Sequence, residues 1–152
     1  MSDERKAREE IIEKYRPEVE RFSAYIPWLT EKCNIDVSQN YTPEGGRTIQ
    51  FPVYDSTLLR FVKEMDQSIF IDKNYPYVYS RYGVKTLQDE FRLIDQVQIM
   101  NISVLGGIMS RYIIGGRTKG RLWSEGVQNG VFLKALEKAR ELIEFWSHEG
   151  QK

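Results

Sequence analysis

Four stretches of this chain repeat apolar residues at three- and four-residue spacing, and that periodicity constrains its fold more than any other feature. Val19, Phe22, Ile26 and Leu29 recur in this way, as do Leu58, Phe61, Val62 and Met65. A third stripe runs through Val84, Leu87, Phe91, Ile94 and Val97, with Gln88, Asp89, Arg92 and Asp95 turned outward. The fourth joins Phe132, Leu136, Ala139, Ile143 and Trp146. An α-helix carries such residues on one face, so each stripe predicts an amphipathic helix with a side to bury. A chain of 152 residues is long enough to bury those faces against one another without staples. The reading is a mainly α, compact helical single domain over residues 1–152, with α+β as the runner-up.

Prolines, glycines and polar runs divide the stripes. Residues 1–16 mix acids and bases with Ile11, Ile12 and Tyr15, which predicts an N-terminal helical extension. Pro17 is expected to start a second helix, because its ring and missing N–H disrupt helix interiors. Pro27 predicts a kink or a break. Residues 34–47 are polar and aperiodic and read as a loop. "TIQFPVY" follows as a short strand, confined to an edge by Pro52. Asp55 or Ser56 is expected to cap the helix "TLLRFVKEMDQS". "IFIDKNYPYVYSRYG" is a second β-like region in which Tyr75, Tyr77 and Tyr79 alternate onto one face of an extended chain. These regions predict a small β-hairpin-like element. "ISVLGGIMSRYIIGG" predicts a further helix, weakened by Gly106 and Gly107, where a neighbouring helix can approach closely or the axis can bend. Two short elements, with "SRYII" as a strand, are the alternative.

Several chemistries are disfavoured by what the chain carries. Lys and Arg total 22 against 22 Asp and Glu, so no basic surplus points to nucleic acid. Cys33 is the one cysteine, which fits a reducing compartment, and His148 is the one histidine, in the tail. Together they cannot build a Ser-His-Asp or Cys-His arrangement or a zinc site. Asp89 and Glu90 are adjacent, so on a helix they diverge by about 100° instead of cooperating. The charged N-terminus lacks the apolar core of a signal peptide, and no run suits a membrane span. The expectation is a cytoplasmic protein with no metal and no cofactor.

One segment concentrates positive charge and conformational freedom. "GGRTKGRLWSEGVQNG", residues 115–130, contains Gly115, Gly116, Gly120, Gly126 and Gly130 beside Arg117, Lys119, Arg121 and Trp123. From Gln96 through Ser124 there is no acidic residue, while Arg111 adds a fourth cation. Gly115 and Gly120 have the outer spacing of a phosphate-binding P-loop, but Arg121 and Leu122 follow where Lys and then Ser or Thr are required. A structural reading makes Gly115 or Gly116 a helix C-cap and "RLWSEGVQN" a short helix ended by Gly130. A binding reading gives the guanidinium groups to a carboxylate or phosphate.

"RFSAYIPWL", "YPYVYS" and "SRYIIGGRTKGRLWSEGVQNGVF" together resemble a family of small bacterial and phage proteins known only as a domain of unknown function. The resemblance spans roughly residues 18–146 and is closest from Arg117 to Gly130 and the amphipathic helix after it. Family members often carry a His within that segment; here there is none, which puts in doubt any activity that depends on it. The resemblance implies no reaction.

The function expected is a non-catalytic binding or assembly domain. Its patch would comprise Arg111, Arg117, Lys119, Arg121, Trp123, Tyr77 and Tyr79, facing an anionic small molecule or an acidic protein partner. A cofactor-independent enzyme using carboxylate, Tyr and Arg groups is one alternative. A helix-turn-helix drawn from 102–114 and 121–129, with Arg121 and Gln128 reading bases, is another. Its long Gly-rich turn, Glu125 on the reading face and the balanced charge count against nucleic acid. The abundance of aromatic residues and broad apolar helix faces predicts a two-fold homodimer.

Overall fold

The computed structural model describes residues 2–33, 38–41, 49–54 and 56–150. The protein is mainly α. Helices α1 (Ser2–Ser23) and α2 (Ile26–Lys32) lead into strands β1 (Ser38–Tyr41) and β2 (Ile49–Tyr54). Helices α3 (Ser56–Asp66), α4 (Tyr75–Tyr82) and α5 (Leu87–Gln96) follow, then a single 3-10 turn at Ile99–Asn101. Helices α6 (Ser103–Gly115), α7 (Arg121–Gln128) and α8 (Val131–Gly150) complete the chain.

Helix α6 occupies the centre. Val104 through Ser110 are all buried, and its neighbours are α3, α4, α5, α7 and α8. A helix apolar on all sides belongs inside, which explains why the sequence offers no charge there before Arg111. Its two inner glycines set the packing distance. A Cβ on Gly106 would lie 2.1 Å from the Phe70 carbonyl oxygen, and one on Gly107 would lie 2.8 Å from a Val78 methyl of α4. Close approach is therefore the role of the pair, and α6 runs unbroken through it with no strand at "SRYII".

The stripes read from sequence supply the core. Phe22, Leu29, Leu58, Phe61, Phe132 and Ala139 are completely buried, and Val19, Ile26, Val62, Met65, Leu136 and Ile143 are nearly so. Phe61 meets Phe132 edge-on at 5.0 Å and Tyr25 at 5.1 Å, the geometry aromatic quadrupoles favour. Each such ring removes about 150–250 Å² from water. The third stripe holds at Val84, Ile94 and Val97, which are buried, and at Phe91, which packs partly against the core, but not at Leu87. On α5 it is Glu90, Leu93 and Ile94 that are buried, while Leu87 is exposed.

Three local expectations are corrected. Pro17 does not start a new helix: α1 passes through it, and Ile12 and Tyr15 sit in the common core beside α8 instead of on an extension. The long packing interface with α8 offsets the hydrogen bond that proline cannot donate. The break comes at residues 24–25, before Pro27, which sits in the first turn of α2 where its missing N–H costs nothing. The tyrosine region is helix α4, not a strand, so the expected β-hairpin-like element is not formed there. Pro76 presets the first helical turn, and Gly83, at φ +65°, closes the last one in the left-handed conformation. Within the expected 34–47 loop, residues 38–41 pair antiparallel with β2, Asn40 opposite Pro52. The rest of that loop, the cap at Asp55 and the side chain of His148 lie outside the described residues.

Candidate functional site

The start of α5 is fixed by a reciprocal cap. Thr86 Oγ1 accepts the Asp89 N–H at 3.1 Å, and Asp89 Oδ2 accepts the N–H groups of Lys85 and Thr86 at 3.0 and 3.2 Å. The Lys85 backbone N–H, with help from Thr86 and Arg92, holds the Asp89 carboxyl below its ordinary range. With Asp89 committed to the cap, the next residue turns about 100° away and inward. That residue is Glu90, only 3% exposed.

A buried carboxylate is stable only if its oxygens are satisfied. Glu90 Oε2 accepts the Tyr79 hydroxyl of α4 at 2.5 Å, and Oε1 accepts the Tyr112 hydroxyl of α6 at 2.8 Å. Asn129, just after α7, donates to the Tyr112 hydroxyl at 3.2 Å, and its own oxygen accepts the Val131 N–H at 3.0 Å. Arg111 Nη1 stands 3.8 Å from Glu90 Oε2, with its guanidinium 5.0 Å from the Tyr112 ring centre and 5.9 Å from that of Tyr79. Burial, reinforced by the Glu90 charge and hydrogen bonds, pushes both phenols well above their ordinary value. Tyr79 and Tyr112 are proton donors at any physiological pH.

These groups border a cavity of about 300 Å³ between α4, α5, α6 and α7. Val84, Glu90 and Tyr112 are its buried members, Arg111 and Asn129 are half-buried, and Lys85 and Glu125 are exposed. Its formal charge is balanced, Arg111 and Lys85 against Glu90 and Glu125. At 3.8 Å the Glu90 carboxylate attracts the guanidinium without taking up its N–H groups, since a hydrogen bond needs about 3 Å. The cavity thus offers fixed donors and acceptors of both signs. Both oxygens of Glu90 accept a hydroxyl, Glu125 stands at the exposed edge, and the phenols stay protonated.

The seven residues singled out from the sequence do not gather in one place. Arg111 and Tyr79 meet at this cavity. Tyr77 lies two residues away around α4, 53% exposed, and accepts a hydrogen bond from Arg81 at 3.2 Å. Arg117 forms an ion pair with Asp66 at the end of α3. Lys119 and Arg121 are exposed. Trp123 turns inward: its Nε1 donates to the Ile113 carbonyl at 2.9 Å, and its ring fills the space a Cβ on Gly116 would need. Gly116 is the C-cap of α6, and Gly130, at φ +84°, carries the chain from α7 into α8. Gly115, Gly116, Gly126 and Gly130 serve this close packing and turning.

Glu90, Tyr112 and Asn129 were not singled out by sequence reasoning. The available signal was spacing: Glu90 stands four and seven residues before Ile94 and Val97, an acid in line with an apolar face. Comparison of the chain with protein families, with curated proteins and with solved structures finds no match.

Proposed function

We propose that this protein is a non-catalytic binding domain whose ligand occupies the Arg111–Glu90 cavity. The ligand is a small molecule of balanced charge, pairing a carboxylate with an ammonium or similar donor. The observation that carries this reading is Arg111, 40% exposed, oriented by two tyrosine rings and a buried carboxylate while its N–H groups remain open to the cavity. A guanidinium fork held in one orientation is suited to a carboxylate. Glu125, exposed at the cavity, provides an acceptor for a donor group on the same molecule. A ligand of one sign alone would leave charge of that sign in the cavity uncompensated.

Convergence of Glu90, Tyr79 and Tyr112 beside Arg111 is also what an acid–base enzyme requires. Binding is preferred because the phenols are held protonated and Glu90, 3% exposed, is walled in by the two hydroxyls its oxygens accept. A general base needs a lone pair within reach of its substrate.

Thermal melts with a panel of free amino acids test the reading, with succinate and phosphate as anion-only and ethanolamine as cation-only comparisons. At least one zwitterion is expected to raise the melting temperature of the parent. Replacing Arg111 with Met should weaken that ligand about ten-fold or more, since a hydrogen bond to a charged group contributes roughly 1.5–3 kcal/mol. No shift with any zwitterion, or an undiminished shift in Arg111→Met, overturns it.

A further inference from the structure

A second surface, which shares no lining residue with this cavity, has the form of a self-complementary interface. The N-terminal part of α1, the turn at Ile99–Asn101 and the C-terminal half of α8 enclose a groove of about 790 Å³. Val97 and Ile99 are buried beneath it, and Leu142 and Trp146 are half-buried along it. Two large apolar side chains stand out of the same surface: Met100 is 48% exposed and Phe145 57% exposed. Phe145 is braced edge-on against Trp146 at 5.1 Å, and the Arg8 guanidinium covers the Trp146 ring at 4.1 Å. The projecting ring is therefore held in position.

We propose that two copies of this chain pair about a two-fold axis through this groove, each placing Phe145 against the Met100 and Leu142 surface of the other. The projection and the recess lie on one patch, and an isologous contact requires that condition. The charged border fits as well. Glu4, Asp95 and Glu141 line the groove together with Arg8 and Lys138. A partner of one sign would meet like charge at two or three of these five positions, whereas a second copy brings both signs. Aromatic residues and Met at the centre with charges outside form the usual composition of a protein interface.

Sedimentation and light scattering of the full chain at micromolar concentration, beside three variants, test the proposal. The parent is expected to be a dimer. Phe145→Glu should weaken the dimer by roughly thirty-fold or more, the effect of losing a central aromatic anchor of about 2 kcal/mol. Met100→Lys should act in the same direction. Leu59→Glu, which alters an exposed residue of α3 away from the groove, should leave the dimer intact. Circular dichroism on each variant confirms that the helices are retained. A monomeric parent overturns the proposal and gives the groove to some other occupant. Folded Phe145→Glu and Met100→Lys variants that remain fully dimeric overturn it too, by placing the contact elsewhere.

Discussion

Glu90 has more depending on it than any other side chain of the candidate site, because two buried hydroxyls and a guanidinium are oriented by it. Replacing it with Ala leaves the Tyr112 hydroxyl without its acceptor and Tyr79 with only the Ile108 carbonyl at 3.3 Å. An orphaned buried donor costs about 1–3 kcal/mol, so Glu90→Ala is expected to lower unfolding free energy by roughly 2–4 kcal/mol in urea melts. A loss below 1 kcal/mol would show that the network contributes little. The same phenols set the response to alkali. Unfolded tyrosines release their protons near pH 10, while burial and Glu90 keep Tyr79 and Tyr112 protonated in the fold. Above pH 10 the unfolded chain therefore binds fewer protons, and stability falls as pH rises, by up to about 1.4 kcal/mol per pH unit for each phenol. Below that pH their contribution is constant. Tyr79→Phe should make the alkaline decline shallower, and an unchanged slope would contradict the assignment. Arg111 and Tyr79 were legible in the sequence as residues of interest, but their meeting was not. Their contact runs through Glu90, whose neighbour Asp89 looks equally eligible until the cap removes it.

At the scale of elements, periodicity exposed what single residues concealed. The stripes on α3 and α8 were legible because an apolar face three and four residues apart has one stable use in a water-soluble core. Helix α4 was misread because Tyr75, Tyr77 and Tyr79 alternate as a strand would, and the period alone cannot separate an eight-residue helix from a strand. Tyr75 and Tyr79 instead share a helical face, their rings 6.5 Å apart, and Tyr77 points away. Proline at the start of α4 and glycine after its end were the signals that favoured the helix. On α6 the glycine pair makes a quantitative prediction. Gly106→Ala forces a methyl against the Phe70 backbone, which cannot swing aside, whereas Gly107→Ala meets only the Val78 side chain. Overpacking of this kind costs typically 1–3 kcal/mol, against a gain of about 1 kcal/mol in helix propensity. Gly106→Ala is expected to destabilise clearly and more than Gly107→Ala in parallel denaturant melts. The reverse order would mean that α6 does not cross its neighbours as described.

For the whole molecule, the architecture separates two surfaces. The polar cavity lies where α4, α5, α6 and α7 meet, and the apolar groove lies along α1 and α8. A mainly α fold was readable from the stripes, while the pairing of α1 with α8 was not, because nothing local relates residues more than a hundred positions apart. The 115–130 segment illustrates the same limit. Its charges invited one patch, yet Arg117 is drawn to Asp66 on α3 and Trp123 to the carbonyl of Ile113, which leaves Arg111 at the cavity. The separation also keeps the two proposals independent, since Phe145→Glu should weaken pairing and leave ligand binding unaltered. The most direct test of the binding claim is a backbone-amide NMR titration of the isotope-labelled protein with the amino acid that raises its melting temperature most. The account predicts saturable shifts concentrated at Lys85–Glu90, Arg111–Tyr112 and Glu125–Asn129. Saturable shifts elsewhere with these amides unmoved, or no saturable shifts at all, would contradict it.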